Sequence, residues 1–277
     1  MNILILIIKK IINNSISFLF RFKITRYIIN KVLFTFINQK TLVSHNNIEL
    51  ELTTPSTITK WRANTFSTKE PETLEWIEGM EEGSCFWDVG ANIGLYSIYG
   101  SKLKNLKVFS FEPSVFNLEL LCRNINNNNL TNQINVVPIA MSNKNGFNAI
   151  YHSNEEWGGA LSVFGEDFGT NGKKLSVTFK YLTLGFKADE FLKIKGFIQP
   201  DYIKIDVDGI EHLILNEAQE TLSKTKSVLV EINEDFKEQR EQSEIALKKA
   251  GLKLKKKRRT SPLESDTANV FNQIWIR

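Results

Sequence analysis

From residue 84 onward, apolar and polar positions alternate along this chain in a regular way. Short apolar runs predict β-strands at 85–89, 107–112, 134–139, 201–207, 227–232, 252–257 and 270–276. Between them, apolar residues three and four positions apart predict helices near 93–104, 114–127, 211–223 and 235–250. This rhythm is typical of a Rossmann-like, doubly wound α/β fold with helices on both faces of a mostly parallel sheet. No helix separates the last two strands, so we expect the seventh strand to run antiparallel.

Two segments fall outside this rhythm. Residues 1–47 are basic and apolar, and we expect them to form a helical leader before one α/β domain at 48–277. The span 143–198 inserts a long, glycine-rich stretch between the third and fourth strands of the sheet. Loops this long in a compact domain are usually functional. We therefore expect a lid, with Glu156 and Trp157 shaping a substrate pocket; the alternative is a hairpin that packs its aromatic residues on the sheet.

The net charge of +4 is unevenly distributed. Residues 1–48 hold seven Lys or Arg and no Asp or Glu, which leaves 28 basic against 31 acidic residues elsewhere. The body of the protein is therefore not expected to bind nucleic acid. The apolar run from Ile3 to Ile8 is too short to span a bilayer. Two interpretations of residues 1–43 stay open: an amphipathic arm on an anionic membrane surface, or a helical extension packed on the domain or on a second subunit.

The cysteine content bears on location. Cys85 and Cys122 lack the spacing of metal ligands and suggest no disulfide framework, which fits a reducing compartment. We therefore expect a cytoplasmic protein, with membrane association left open by the leader. The sequence does not determine the oligomeric state.

The segment from Phe86 to Gly94, FWDVGANIG, carries the strongest functional signal. It predicts a buried strand that ends at Asp88, a tight turn at Gly90 and then the start of a helix. Glycine lets a ligand approach the backbone closely, and a helix start presents free N–H groups. The next strand ends at Glu112, where nucleotide-binding α/β folds bind ribose hydroxyl groups. Together these features predict an adenosine-containing ligand at the carboxyl ends of the strands.

The turn differs from the dinucleotide-binding pattern G-x-G-x-x-G. Here the pattern is D-x-G-x-N-x-G, with Asp88 just before the turn. A carboxylate at this position would repel a pyrophosphate but would suit the ammonium group of an amino acid. The turn therefore favours S-adenosylmethionine, which has a cationic methionyl end and no phosphate. An ordinary strand–turn–helix junction capped by Asn92 is the alternative.

These motifs, with FEP at 111–113, VPIA at 137–140 and KIDVDGIE at 204–211, resemble the FkbM family of S-adenosylmethionine-dependent methyltransferases. The resemblance covers roughly residues 80–277. It implies a class I methyltransferase fold and, usually, O-methylation of a hydroxyl group on a sugar or natural product, as in polysaccharide biosynthesis.

The resemblance also implies which residues bind the cofactor. Those expected around the methionyl part are Asp88, Gly90 and Asn92. Those expected around the adenosine are Glu112 at the ribose, and Pro113 with Ala140 beside the adenine. Gly94 and Asp206 complete the predicted cofactor site.

Polar residues, most of them ionisable, cluster where the fourth and fifth strands end. The residues concerned are Asp206, Asp208, Glu211 and His212 after the fourth strand, and Glu231 and Asn233 after the fifth. Because neighbouring parallel strands end at one edge of a sheet, we expect these side chains to converge. Glu211 and Asn233 are then expected to contact the substrate. A hydroxyl acceptor must lose a proton during methyl transfer, which requires a general base or a metal ion.

Two routes for that proton fit the cluster. In the first, Asp208 or His212 accepts it, and Glu231 orients the base or binds a neighbouring hydroxyl group. In the second, Asp206, Asp208 and Glu231 hold a divalent cation such as Mg²⁺ or Ca²⁺. The metal-free route is favoured, because no complete ligand set can be identified in the sequence.

The leading hypothesis is therefore an O-methyltransferase that uses S-adenosylmethionine and acts on a saccharide or a related small hydroxylated metabolite. The alternative is a non-catalytic adenosyl-binding scaffold, docked to a membrane or a partner through its leader. An NAD-dependent oxidoreductase is disfavoured, since G-x-G-x-x-G is missing.

Overall fold

The computed structural model describes residues 2–260 and 269–277, and their side chains except those of 2–7 and 11. Two helices, α1 (Asn2–Leu19) and α2 (Lys23–Ile37), lead into a hairpin of β1 (Lys40–His45) and β2 (Ile48–Thr53). Within these described ranges, no helix combines the length and hydropathy needed to cross a bilayer.

The helical part of the leader ends earlier than expected. Residues 40–47, predicted to be helical, form β1 and its turn instead. The turn residues Asn46 and Asn47 both have positive φ, 47° and 64°. This conformation matches a two-residue hairpin turn that follows the twist of the flanking strands, and asparagine tolerates it better than most residues.

Two short helices, α3 (Thr57–Asn64) and α4 (Pro71–Glu78), precede the main sheet. Ser56 begins α3 with a capping box, in which its side chain accepts from the N–H of Thr59 and the Thr59 side chain bonds back to Ser56. Pro71 is the first residue of α4, a position where the missing N–H has no helical partner to lose.

The remaining elements alternate as the sequence predicts, with one interruption. The first group consists of β3 (Cys85–Val89), α5 (Leu95–Lys104), β4 (Lys107–Phe111), α6 (Val115–Asn127) and β5 (Ile134–Val137). The interruption consists of β6 (Ala140–Met141), β7 (Gly146–His152), β8 (Ser162–Phe164), β9 (Phe179–Phe186) and α7 (Ala188–Phe191). The last group consists of β10 (Tyr202–Ile205), α8 (Glu211–Asn216), α9 (Gln219–Lys224), β11 (Ser227–Asn233), α10 (Lys237–Lys249), β12 (Lys253–Arg259) and β13 (Val270–Ile276).

Seven strands form the main sheet in the order β5-β4-β3-β10-β11-β13-β12. The five strands β5, β4, β3, β10 and β11 run parallel to one another. Strand β13 runs antiparallel to both β11 and β12. The predicted seven-stranded, doubly wound sheet with an antiparallel last strand is thereby confirmed, and the strand ends agree within two residues.

Two hydrophobic cores lie on opposite faces of this sheet. Every residue of β3 is buried, as expected for a parallel strand covered on both sides. Trp87 packs against Phe111, with ring centroids 5.3 Å apart, whereas its neighbour Phe86 packs against Trp76 in the other core, at 5.9 Å. The polar residues at the ends of β3 and β10 are therefore held between two rigid layers.

The insertion is more ordered than a plain loop. Strands β6 to β9 form a second sheet in the order β6-β9-β7-β8. The loop that joins β7 to β8, residues 153–161, leaves this sheet and approaches the carboxyl ends of the main strands. Its contacts belong to the site described next.

Candidate active site

A cleft opens where β3, β4 and β10 end. Its first part, here called the Glu112 pocket, lies between strand ends and the insertion. Its second part, the Lys204 pocket, is bounded by the segments around α3, α4 and α5. Gly90, Asn92 and Asp206 line both pockets, so the two parts share one wall.

The turn after β3 contains two glycines that have different structural roles. Gly90 has a φ of 82°, and a Cβ at this position would lie 1.9 Å from the backbone oxygen of Asp206. Only glycine allows the ends of β3 and β10 to approach so closely. Gly94 lines neither pocket; a Cβ there would lie 2.6 Å from Leu121, so this glycine serves the packing of α5 on α6.

Two oxygens beside this turn lack a donor. Asp88, predicted to bind the cofactor, lines neither pocket and lies behind the turn, where its Oδ2 accepts a 2.5 Å hydrogen bond from the Ser97 hydroxyl. Its Oδ1 and the Oδ1 of Asn92 are buried without a hydrogen-bond partner among the described residues. Burial raises the pKa of Asp88, an effect that nearby Lys204 opposes. Buried acceptors are normally paired, so this corner of the cleft suits a ligand that brings N–H donors, such as an ammonium group.

Glu112 ties the end of β4 to the turn after β3. One carboxylate oxygen accepts from the N–H of Asn92 and the other from the N–H of Ser114, both at 2.8 Å. Burial raises the pKa of Glu112 to about 7 in spite of these bonds. Pro113 and Ala140 line the same pocket, so three residues predicted to surround the adenosine lie together.

A buried cation occupies the second pocket. The Nζ of Lys204 lies 2.7 Å from the carboxylate of Asp206 and 5.2 Å from the ring centre of Tyr96. Burial acts to lower the pKa of Lys204, but Asp206, Glu70 and Asp88 outweigh it and raise that pKa above its ordinary value. Lys204 is therefore charged at neutral pH and balances the carboxylates around it.

The residues that face Lys204 across this pocket were not predicted from the sequence. Glu70 accepts hydrogen bonds from Tyr96 at 2.9 Å and from Lys69 at 2.5 Å. Burial acts to raise the pKa of Glu70, but Lys69 and Lys204 lower it to about 2. Arg62 completes this charged lining. The sequence offers one signal for them, the Lys69–Glu70 pair directly before Pro71. Such a pair is common at the start of a helix and does not by itself indicate a binding site.

Part of the insertion closes over both pockets. The carbonyl oxygen of Gly158 accepts from Arg62 at 2.7 Å, and that of Gly159 accepts from Asn92 at 2.9 Å. At its far end, the loop donates its Leu161 N–H to the carboxylate of Asp208, also at 2.7 Å. The loop thus spans the cleft from the Lys204 pocket to the Glu112 pocket.

Asp208 binds this loop directly. Its carboxylate also accepts from the N–H of Ser162 at 3.2 Å. Burial raises the pKa of Asp208 to about 6, and the neighbouring charge of Asp206 adds to that rise. Because both bonds lead to the insertion, the position of Asp208 suits holding the loop.

Two residues predicted at the catalytic end are built into the protein interior instead. His212 is buried against Phe236, with ring centres 5.5 Å apart, and it lines neither pocket. Burial lowers its pKa. Glu211 accepts from the N–H groups of Val207 and Gly209, so it shapes the turn after β10 and has no surface in the cleft.

Three predicted substrate contacts also lie away from the cleft lining. The side chain of Asn233 accepts from the N–H of Asp235 at 3.0 Å and closes the turn after β11. Glu156 is exposed on the outer side of the loop, and Trp157 packs against the hydrophobic core. The loop reaches the cleft through the backbone of Gly158 and Gly159 rather than through these side chains.

Glu231 lies near the end of β11 and lines neither pocket, but it is within electrostatic reach of Asp206, Glu70 and Lys69, which line the Lys204 pocket. Burial raises its pKa well above the ordinary value, and Asp206 and Glu70 add to the rise, whereas Lys69 opposes it. No hydrogen bond joins its carboxyl group to another of the described residues. This combination suits a group that exchanges a proton with a ligand.

The alternative cation site does not assemble. Within residues 2–260 and 269–277, no three His, Cys, Asp or Glu side chains are grouped so that they could hold a metal ion. Asp206 is paired with Lys204, and Asp208 with the loop. The ligand set Asp206, Asp208 and Glu231 therefore has no support from the geometry, and the metal-free route stays a proposal.

The model of the methyltransferase FkbM domain matches residues 88–253, more than half of the chain. The chain belongs to the FkbM methyltransferase family. This membership confirms the resemblance to a family of S-adenosylmethionine-dependent methyltransferases that the motifs indicated.

One curated relative has a named sugar substrate. The hexuronic acid methyltransferase AglP of Haloferax volcanii is 27% identical over 158 residues, which cover 57% of this chain and 59% of the relative. The match thus spans less than two thirds of that protein.

Several solved methyltransferase structures resemble this FkbM protein in fold. The AdoMet complex of TYW2 from M. jannaschii aligns with a TM-score of 0.45 and 16% identity over 87% of each chain. The precorrin-6y C5,15-methyltransferase of Geobacter metallireducens aligns with a TM-score of 0.44 and 14% identity, over 75% of this chain and 86% of the other. The strand order of the main sheet itself places the protein in the class I methyltransferase fold.

Proposed function

We propose that this FkbM methyltransferase methylates a hydroxyl group of a saccharide or of a related hydroxylated metabolite. The observation that carries the proposal is the composition of the Lys204 pocket, where Arg62, Lys69 and Glu70 stand beside the wall shared with the Glu112 pocket. Charged donors and acceptors bind hydroxyl groups in several directions. Apolar Phe66 and Leu95 in the same lining offer contact for the faces of a sugar ring.

An acidic sugar fits this pocket well. A uronic carboxylate would find two cations, Arg62 and Lys69, in the lining of this pocket. Arginine binds carboxylates with two parallel N–H donors, which fixes orientation as well as affinity. The match to a hexuronic acid methyltransferase supports the same class of acceptor.

The cofactor would occupy the Glu112 pocket and the shared wall. S-adenosylmethionine supplies an electrophilic methyl group on a positively charged sulfur. The free Oδ1 of Asn92, which lines both pockets, would accept from its ammonium group, the buried carboxylate of Asp88 behind the turn would add negative charge, and Glu112 would accept from its ribose. Pro113 and Ala140 would flank the adenine, while the loop at Gly158 and Gly159 excludes water.

We assign the role of general base to Glu231. Its carboxyl group lies near the charged residues of the Lys204 pocket and has no hydrogen-bond partner among the described residues, and burial raises its pKa above the ordinary value. The other candidates are less suited, because Asp208 is bonded to the loop and the ring of His212 packs against Phe236.

Purified protein, methyl-labelled S-adenosylmethionine and fractionated saccharides test the proposal. We expect label in a sugar fraction and a product that carries one additional O-methyl group. Glu231→Gln should lower turnover by about 100-fold or more, with S-adenosylhomocysteine bound as tightly as by the parent protein. The matched control Glu75→Gln alters an exposed carboxylate on α4 and should change neither quantity.

Two results would count against the proposal. Cofactor binding without transfer to any saccharide fraction would favour the non-catalytic adenosyl-binding scaffold. Full turnover in Glu231→Gln would remove this residue from the mechanism and leave the methyltransferase assignment in place.

A further inference from the structure

Helix α1 presents an apolar face to water. Ile8, Ile12, Ile16 and Leu19 follow one another at intervals of four, four and three residues, which places them on one side of a helix. Each is between 42% and 50% exposed. A helix with such a face normally buries it against another surface.

Helix α2 repeats the pattern. Ile24, Ile28, Val32 and Phe36 are spaced four residues apart, and their exposure lies between 53% and 75%. No side chain of α2 is buried. The burial of α2 therefore gives no support to the interpretation in which this extension packs on the domain.

The same two helices and their junction carry positive charge alone. The basic residues are Lys9, Lys10, Arg21, Lys23, Arg26 and Lys31, and all are exposed. None of them forms an ion pair with another described residue, and residues 1–48 contain no Asp or Glu. The surface formed by Ile8–Phe36, here called the leader surface, thus combines uncovered apolar area with uncompensated charge.

We propose that the leader surface docks on a membrane that contains anionic lipid. In this arrangement the helices lie along the bilayer surface, with the isoleucines at the acyl boundary and the lysines and arginines among the headgroups. No helix in the described part of the chain is long and apolar enough to cross instead.

Two other occupants fit less well. A second copy of the chain would bring two positive leader surfaces together with no carboxylate between them, which costs electrostatic energy. A nucleic acid would neutralise the charge but would leave the apolar faces in water. An anionic membrane satisfies both properties at once.

The leader surface also adjoins the site. Phe36 and Gln39 line the same surface groove as Trp61 and Glu156, and Glu156 belongs to the loop that covers the cleft. Docking therefore brings this side of the lid near the lipid surface.

Sedimentation of the full chain with sucrose-loaded vesicles tests the proposal. One vesicle type contains phosphatidylcholine alone, and the other contains phosphatidylcholine and phosphatidylserine at a ratio of about two to one. We expect binding to the mixed vesicles to be at least about tenfold tighter, and to weaken as salt screens the charges.

Paired variants separate the leader surface from general effects of charge and hydropathy. Ile16→Asn with Ile28→Asn, and separately Lys23→Gln with Arg26→Gln, should each weaken binding about tenfold or more. Matched controls alter residues elsewhere that are at least as exposed as the apolar ones, or carry the same charge: Leu182→Asn with Phe147→Asn on the insertion sheet, and Lys253→Gln with Lys255→Gln on β12. These controls should bind as the parent does, and all variants should keep the parent's unfolding midpoint.

Three outcomes overturn the proposal. The first is equal or absent binding to both vesicle types. The second is loss of binding in the control variants rather than in the leader variants. The third is a dimer in analytical ultracentrifugation that the Ile16 and Ile28 variant dissociates, since a second copy would then cover this surface.

Discussion

The Asp208 carboxylate accepts a 2.7 Å hydrogen bond from the backbone N–H of Leu161. Both residues have left-handed backbone conformations, with φ of 64° at Asp208 and 62° at Leu161. This region is unfavourable for leucine, and such strain persists where surrounding contacts impose it. The bond therefore fastens the loop of the insertion to the end of β10, where it covers the cleft.

Removing the carboxylate should loosen that loop. In Asp208→Gly the left-handed backbone remains allowed, but no side-chain oxygen accepts from Leu161 or Ser162. We expect hydrogen exchange of these two amides to rise about tenfold or more, which corresponds to about 1.4 kcal/mol. Asp208→Asn keeps one side-chain acceptor, and asparagine tolerates the left-handed backbone conformation. Exchange of the two amides should therefore rise much less in this variant. Unchanged exchange in Asp208→Gly would disprove the fastening.

Glu112→Ala should weaken cofactor binding. The change removes a buried acceptor from the Glu112 pocket. The N–H groups of Asn92 and Ser114 then lose the carboxylate to which they donate. Lost hydrogen bonds to a charged group typically cost about 1.5–3 kcal/mol, so we expect the Kd for S-adenosylhomocysteine to rise by a factor of about 10 to 150 in calorimetry. Glu112→Gln keeps one acceptor, so its Kd should lie between those of the parent and of Glu112→Ala. Parent-like affinity in Glu112→Ala would contradict the proposed ribose site.

The same carboxyl group should give folding a defined pH dependence. Burial raises the pKa of Glu112 from 4.5 to about 7, so between these values the folded protein holds a proton that the unfolded chain has released. Its contribution to the free energy of unfolding is therefore present below about pH 4.5 and is lost as the pH rises toward 7.

Glu112→Gln removes this titration. We expect the variant to gain stability relative to the cofactor-free parent as the pH rises from about 4.5 to about 7. Urea unfolding of both proteins at several pH values measures the difference, in which the other titrating groups cancel. A difference that is constant across this range would show that the pKa of Glu112 is not raised.

The fold could be predicted because its signal is local. Each strand of the main sheet is a short apolar run bounded by polar or turn residues, and residues such as Asp206 and Glu112 mark the strand ends directly. Those two positions lie at the cleft for the same reason, since parallel strands end together.

The charged half of the site lacked such a signal. Arg62, Lys69 and Glu70 come from a segment outside the strand–helix rhythm, and tertiary packing alone brings them to Lys204. His212 shows the opposite case. It is close in sequence to Asp206 and Asp208 and was therefore predicted at the cleft, but the first turn of α8 directs its ring toward Phe236 and away from the cleft.

Gly90→Ala tests the approach of β3 to β10 on which the shared wall depends. Alanine at this position would combine an unfavourable left-handed backbone with a Cβ 1.9 Å from the backbone oxygen of Asp206. Gly83 is a matched control, because its φ is 72° but a Cβ added there would have no other atom within 4 Å. Gly83→Ala should therefore lower the free energy of unfolding by about 1–2 kcal/mol, the cost of the backbone alone. Gly90→Ala should lower it by more than about 4 kcal/mol or prevent folding. Equal losses for the two variants in urea unfolding would show that the strand ends separate easily, and the wall shared by the two pockets would not be rigid.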